Sequence, residues 1–241
     1  MVDTFPHVAA IIPAAGTGTR LQAQLNQPKQ FARLAGKPLL THTLLVFEQC
    51  EVIEDIVIPA REEDISTIWD ETVTPYSITK VREVLPGGRT RQESVWNGMQ
   101  ALQTTPPEIV VVHDAARIFI RPDIIREAVV TAEQYGGSVV GTPAVDTMKM
   151  THGTVIESTV DRTVLWSAQT PQTFRYHLLC RAFQNALATG YTGTDEAMLV
   201  EQLGEQVVLI RGSKQNFKVT DPDDLEIARA LVTYREGGGS S

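Results

Sequence analysis

The run Val8-Ala9-Ala10-Ile11-Ile12 is wholly apolar and breaks at Pro13 into Ala14-Ala15-Gly16-Thr17-Gly18-Thr19-Arg20. A short apolar run bounded by turn residues reads as a strand buried on both faces, which is the habit of parallel sheets in α/β proteins. The small residues let backbone N–H groups come close to a ligand, and the helix that follows presents its N-terminus to anions. Arg20, and Lys29 within Pro28-Lys29-Gln30, add fixed positive charge where a polyphosphate would lie. An ordinary tight turn would account for the glycines but gives no reason for the two cations.

Spacing excludes two familiar phosphate loops. A P-loop needs Gly, four residues and then Gly-Lys-Ser/Thr; here Gly36-Lys37 is followed by Pro38, and Phe31 stands at the first glycine position. A dinucleotide fingerprint needs a third glycine and an acidic residue about 20 positions on, but Leu21 takes the third position and Gly36-Lys37-Pro38-Leu39-Leu40 offers no carboxylate. The loop therefore points to a mononucleotide whose phosphates are gripped by side chains as well as backbone.

Apolar runs alternate with amphipathic segments along most of the chain. The pattern predicts strands over 8–12, 55–59, 78–85, 109–113, 138–142 and 206–211, and helices over 39–49, 65–69, 92–102, 123–134, 176–188, 195–203 and 223–234. Pro122-Asp123 and Asp221-Pro222 carry helix-start signals. The expectation is a mostly parallel sheet with helices on both faces and ligands at the carboxyl ends of the strands. Residues 144–162 break this rhythm: they are β-rich, turn at Thr151-His152-Gly153-Thr154 and lack a covering helix. They read as a projecting β-arm, and a partner subunit is its natural cover. Residues 1–236 are expected to form one domain, with 237–241 as a flexible tail.

The 241 residues suffice for such a domain, and 42% hydrophobic with 21% charged residues describes a globular protein. A net charge of −8 argues against a protein that coats nucleic acid, because no cation surplus exists to displace counterions. Cys50 and Cys180 lack CxxC spacing, no apolar run reaches membrane-spanning length, and no leader pattern opens the chain. A reducing, cytoplasmic setting without membrane contact is the expectation.

Candidate chemistry follows the strands. In His113-Asp114-Ala115-Ala116-Arg117, Asp114 stands at a strand's carboxyl end, where it could hold a phosphate-bound Mg2+, and Arg117 could fork onto a phosphate. His113 reads as structural. Gly87-Gly88 permits close approach to a flat base whose edge Ser94 could read. Threonine hydroxyls and cations recur in Asp146-Thr147-Met148-Lys149, Thr159-Val160-Asp161-Arg162, Thr170-Pro171-Gln172, Thr194-Asp195-Glu196 and Lys218-Val219-Thr220. These are the groups that hold a small phosphorylated polyol.

Taken together and in order, these segments resemble the 2-C-methyl-D-erythritol 4-phosphate cytidylyltransferase family of the non-mevalonate isoprenoid pathway. The resemblance implies a Rossmann-like nucleotidyltransferase fold, a homodimer joined through the 144–162 arm, CTP as donor and Mg2+. It implies CTP against Ala14, Ala15, Gly16, Gly18, Gly87 and Ser94, with Arg20 and Lys29 on the triphosphate. It implies the acceptor against Arg117, Thr147, Thr170, Thr194 and Lys218, with Arg162 reaching across from the second subunit, and Asp114 as the metal-associated aspartate. Arg20, Lys29 and Lys218 become the catalytic cations. Ile118 departs from the pattern, in which proline follows the arginine, and Ala144-Val145 precedes Asp146 where an arginine is common. Alternatives are a ribitol 5-phosphate cytidylyltransferase and, in a different class, a nucleotide-binding regulator without catalysis.

Overall fold

The computed structural model describes residues 6–16 and 27–236. Gly18, Arg20, the segment between Arg20 and Lys29 as far as residue 26, and the 237–241 tail lie outside the described residues.

β1 (Val8–Ile11), β4 (Asp55–Ala60), β5 (Val81–Pro86) and β6 (Ile109–Val112) run parallel, and β7 (Gly137–Pro143) is parallel to β11 (Val208–Arg211). With β10 (Trp166–Arg175), the seven-stranded order is β11-β7-β10-β6-β1-β4-β5. β1 is fully buried because both its faces carry helices. Val8, Ala10 and Ile12 point into a core with α1 (Leu39–Gln49) and α4 (Pro122–Tyr135). Ala9 and Ile11 point into a second core with α3 (Arg91–Ala101) and α5 (Tyr176–Thr189). This period-two split of an all-apolar strand is what a doubly covered sheet requires.

Local chemistry fixes the helix ends that matter for the site. Thr90 caps α3 by accepting from the Glu93 amide at 3.0 Å, while Glu93 reaches back to the Arg89 amide at 2.8 Å. Pro122 opens α4, and Gly136, at φ +94°, closes it. α6 (Glu196–Glu201) is capped by Asp195, and α7 (Pro222–Glu236) begins where Asp221 accepts from Asp224.

The largest departure from the sequence expectation is β10 (Trp166–Arg175), a ten-residue strand antiparallel to both β6 and β7. No strand is predicted there, because Pro171 and a run of polar residues hide it. Its register shifts between Ala168 and Gln172, and the side chains of Gln169, Thr170 and Gln172 are paired inside the protein, whereas the buried Thr173 hydroxyl has no partner among the described residues. Smaller departures are a later start for β5 and β11, and an expected helix at 65–69 that is a single turn, α2 (Ile65–Ile68), running on into a π turn at Trp69–Val73.

β2 (Arg33–Leu34) and β3 (Lys37–Pro38) form a small hairpin. β8 (Lys149–His152) pairs antiparallel with β9 (Val155–Thr159) about Gly153, forming the arm; every residue of both strands is exposed. Among the described residues, no helix is long and apolar enough to cross a membrane.

Candidate active site

β1 lies between β6 and β4, so the chain leaves it in one direction toward β4 and β5 and in the other toward β6, β10 and β7. That is the switch point of a doubly wound sheet, where loops diverge and leave a crevice. A cavity of about 220 Å3 occupies it. Its wall is built from Pro13 to Gly16 after β1, Lys29 and Gln30, the stretch from Gly88 to Arg91 with Ser94, Asp114 to Ala116 after β6, and Lys218.

Of the nucleotide-side expectations, Gly18 and Arg20 lie outside the described residues. Ala14, Ala15, Gly16, Lys29 and Ser94 all line the cavity. Gly87 itself packs behind the wall. A Cβ there would stand 2.6 Å from the Ala15 Cβ, so its glycine is needed for two loops to touch, and Gly88 faces the cavity instead. Ser94 is buried, donates to the Thr90 carbonyl at 2.9 Å and accepts from the Gly88 amide at 3.0 Å. It thereby sets the shape of the Gly87-Gly88 turn. Lys29 begins a 3-10 turn, and its Nζ donates to the Val219 carbonyl at 3.5 Å. The neighbouring Gln30 donates to Asp64 at 3.0 Å, and Asp64 is held in turn by the Arg61 fork at 2.8 and 2.9 Å.

The floor is a charge cluster around Asp114, which is buried. Arg91 Nε meets Oδ1 at 3.1 Å, while Arg117 Nε and Lys218 Nζ meet Oδ2 at 3.3 and 3.0 Å. Burial by itself would raise this carboxyl, but the charges of Arg91, Lys218 and Arg117 outweigh it and hold Asp114 well below the usual carboxylate range. Arg91 also forks onto Glu196 at 2.6 and 3.0 Å. Burial pulls the Arg91 guanidinium down, yet Glu196 and Asp114 more than offset it and keep Arg91 charged.

Ion pairs engage Asp114 within the chain. Both Asp114 oxygens already face cations, and among the described residues no three His, Cys, Asp or Glu side chains cluster as metal ligands. In this structure Asp114 gathers the three cations of the floor.

Acceptor-side expectations divide. Thr170 reaches the floor because β10 runs backwards and starts at the sheet's carboxyl edge. The Asp114 amide donates to Thr170 Oγ1 at 3.0 Å, and that hydroxyl pairs with His113 Nδ1 at 3.1 Å. His113 Nε2 lies 3.0 Å from the Arg117 carbonyl, so a neutral ring with its proton on Nε2 satisfies all four groups. Burial pushes the His113 imidazole down to about 4, which agrees with that neutral form. Arg117 turns inward, donating from Nη1 to the Asn216 carbonyl at 2.9 Å. Ile118, where proline is usual in the resembled family, is buried with Phe119, Leu39, Val219 and Leu225 and pins this loop to α7. Thr194 is exposed just before α6, its hydroxyl 3.0 Å from Met198 Sδ. Thr147 and Arg162 lie on the exposed arm and not in the cavity wall of the same chain; Arg162 bonds the Val145 carbonyl.

Arg91, Gln30, Asp64 and Glu196 are the residues that reading for ligand contacts passed over. Arg91 and Glu196 sit in segments already singled out, but Asp64 leaves no local signal.

A doubly wound sheet with a cation-lined crevice at its switch point defines a nucleotide-binding α/β protein of the nucleotidyltransferase kind. Residues 8–234 match the family described as IspD: 2-C-methyl-D-erythritol 4-phosphate cytidylyltransferase, and the chain belongs to that family. A relative of that name from Syntrophotalea carbinolica is 42% identical over 225 residues, 93% of this chain and 96% of the relative. Among solved structures, the 4-diphosphocytidyl-2C-methyl-D-erythritol synthase from Anaerococcus prevotii superposes with a TM-score of 0.82 at 25% identity, covering 95% of this chain and 96% of that one. The 2-C-methyl-D-erythritol 4-phosphate cytidylyltransferase from Thermus thermophilus superposes with a TM-score of 0.75 at 30% identity, covering 95% and 98%.

Proposed function

We propose that this chain transfers CMP from CTP to 2-C-methyl-D-erythritol 4-phosphate, giving 4-diphosphocytidyl-2-C-methyl-D-erythritol and pyrophosphate, in isoprenoid precursor synthesis. Family membership over 8–234 supports the reaction, and the observation that carries it is the cavity whose wall holds Lys29 and Lys218 beside the β1 loop.

The step joins two anions. An acceptor phosphate oxygen attacks the α-phosphorus of CTP, a new P–O bond forms, and the bond to the β-phosphate oxygen breaks to release pyrophosphate. A phosphate monoester's second pKa is about 6, so the nucleophile is already mostly ionised at neutral pH and needs no general base. The buried, fully hydrogen-bonded His113 is no candidate for one. Rate must come from positioning and from charge stabilisation at the pentavalent phosphorus and leaving group. Lys29 and Lys218 supply that charge from the cavity wall, joined by Arg20. Ala14, Ala15, Gly16, Gly18, Gly87 and Ser94 form the bed for the nucleotide. Arg117, Thr170 and Thr194 serve the acceptor side together with Lys218, the first two largely by shaping the Asp114 floor. Mg2+ would be held beside Asp114 and would supply further positive charge for the phosphates.

Residues 1–236 work as one nucleotidyltransferase domain, and two copies pair through the arm. Exposed Val155, Ile156 and Val164 support that pairing, which would bring Thr147 and Arg162 of one subunit toward the other's acceptor. The setting is cytoplasmic, without nucleic-acid or membrane partners. The test is pyrophosphate release with CTP and Mg2+, methylerythritol phosphate against ribitol 5-phosphate. Preference for the former is expected; preference for the latter overturns the acceptor, and tight CTP binding without turnover on either overturns catalysis.

A further inference from the structure

Glu196 is nearly inaccessible, at 1% exposure, and is not among the residues lining the cavity. A carboxylate buried this deeply persists only when its partner is fixed in good geometry, because desolvation works against the charge. Its partner is Arg91, which forks onto both carboxylate oxygens, at 2.6 and 3.0 Å, and does line the cavity. The third guanidinium nitrogen, Nε, meets Asp114 at 3.1 Å. One side chain thus joins the start of α3, the end of β6 and the start of α6.

The same two helix starts are joined again one residue on. Gln92 donates to the Tyr191 carbonyl at 3.2 Å and accepts from the Gly193 amide at 3.0 Å. On its far side the α6 start is tied to β10, where Gln172 donates to Asp195 at 2.8 Å and accepts from the Ala197 amide at 3.0 Å. Thr194 is carried between these ties. The first turn of α3 also carries Ser94, which shapes the Gly87-Gly88 turn of the nucleotide wall. The loop bearing Thr194 and the wall that meets the nucleotide are therefore clamped to each other through α3.

We infer that Glu196 is a positioning residue, which acts through Arg91 to hold the Thr194 loop in register with the nucleotide cavity and so couples the two substrate sites. This rests on the reading of Thr194 as an acceptor contact and of the cavity as the CTP site. Glu196 fixes two of the three Arg91 nitrogens. Without the Glu196 charge, Asp114 is the ionic partner that Arg91 keeps among the described residues. The guanidinium can then turn onto a carboxylate already shared with Arg117 and Lys218, and the α6 start loses its ionic tie to α3.

The test uses the full chain as wild type, Glu196→Gln, Arg91→Lys and the double variant. Readouts are kcat, both KM values, CTP binding by calorimetry and Tm. Glu196→Gln keeps the shape and loses the charge, while Arg91→Lys keeps the charge and loses the fork. Each single variant is expected to raise the acceptor KM about tenfold, Glu196→Gln, outside the cavity wall, to keep CTP affinity within about threefold of wild type, and the double variant to be no worse than either single one. A merely structural role predicts a lower Tm and a lower active fraction, with the acceptor KM of the surviving enzyme unchanged; that pattern overturns the inference. So do additive effects in the double variant. Should Glu196→Gln fail to fold, Arg91→Lys decides: a wild-type acceptor KM there overturns the coupling. Lack of turnover in the wild type sinks the functional reading first, whereas wild-type turnover with additive variants sinks the coupling alone.

Discussion

The floor of the cavity and the arm follow opposite rules. At Asp114, three cations from three separate segments converge on one buried carboxylate, and His113, Thr170 and the Arg117 carbonyl satisfy one another beside it. On the arm, Val155 is 69% and Ile156 60% exposed, and neither strand contributes a buried residue. The floor is complete within one chain, as buried polar groups must be. The arm carries apolar side chains, Met150, Val155 and Ile156, that one chain leaves to water. Chemistry that needs rigid charge is placed where the fold closes on itself, and the part left open is the part proposed to meet a second copy.

The largest effects are expected at the closed end. Lys218→Ala removes a cation from the cavity wall and one of the three partners of Asp114. Loss of such a charge at a transition state costs ~3 kcal/mol, so kcat at saturating CTP should fall about a hundredfold, and Lys29→Ala should match it. Wild-type turnover in either variant would break the idea that the floor and wall carry the chemistry. At the open end, Val155→Asp with Ile156→Asp should leave Tm within a few degrees, because both residues are exposed, while sedimentation shifts from dimer to monomer. A dimer that survives both charges removes the arm from the interface. Arg162→Ala sharpens the same contrast with a smaller effect. The acceptor KM should rise about tenfold, and mixed dimers with Lys218→Ala should regain activity, because one site in the pair keeps both its own Lys218 and a partner arginine. Mixed dimers no more active than the weaker parent would confine Arg162 to its own chain.

What the sequence made legible tracks how local each feature is. The β1 loop, Asp114 and Lys218 could be singled out because each ends an apolar run or stands in a short polar motif nearby. α1 falls at 39–49 as the periodicity predicts, since its apolar face is continuous. β10 was not legible: Pro171 and the polar Gln169, Thr170, Gln172 and Thr173 mimic a loop, and only tertiary partners such as Asn216 and Asp195 make Gln169, Thr170 and Gln172 tolerable in a buried strand. The same limit hid the supports of the site. Glu196 and Arg91 lie 105 positions apart, and Asp64 meets Gln30 across 34, so no spacing rule joins them. Thr170 could be named as a site residue, but its partner, the Asp114 amide, depends on a strand running the unexpected way.

The smallest expected effect tests the floor by pH. His113 is buried, sits 5.1 Å from the Phe47 ring, and has its imidazole pushed down to about 4 by burial, from an ordinary 6.5. Its folded value lies below its unfolded one, so the unfolded chain takes up a proton first as the pH falls. The stability that depends on neutral His113 is whole above the unfolded value, declines from there, and is fully lost below the folded value. The loss should be roughly 1 kcal/mol at about pH 5.5 and on the order of 3 kcal/mol once both forms are protonated. Asp114 acts in the same direction but in a separate window: held well below its usual range, it gives up stability only as the pH falls below 3.8. His113→Gln removes the titration while offering an amide to the Thr170 hydroxyl and the Arg117 carbonyl. Denaturant unfolding at fixed pH values should therefore give a flatter stability curve between 6.5 and 4 in the variant than in the wild type, with the steeper fall below 3.8 kept in both. Parallel curves across that upper window would mean that the ring titrates freely in the folded protein, and the neutral His113 at the centre of the floor would have to be given up.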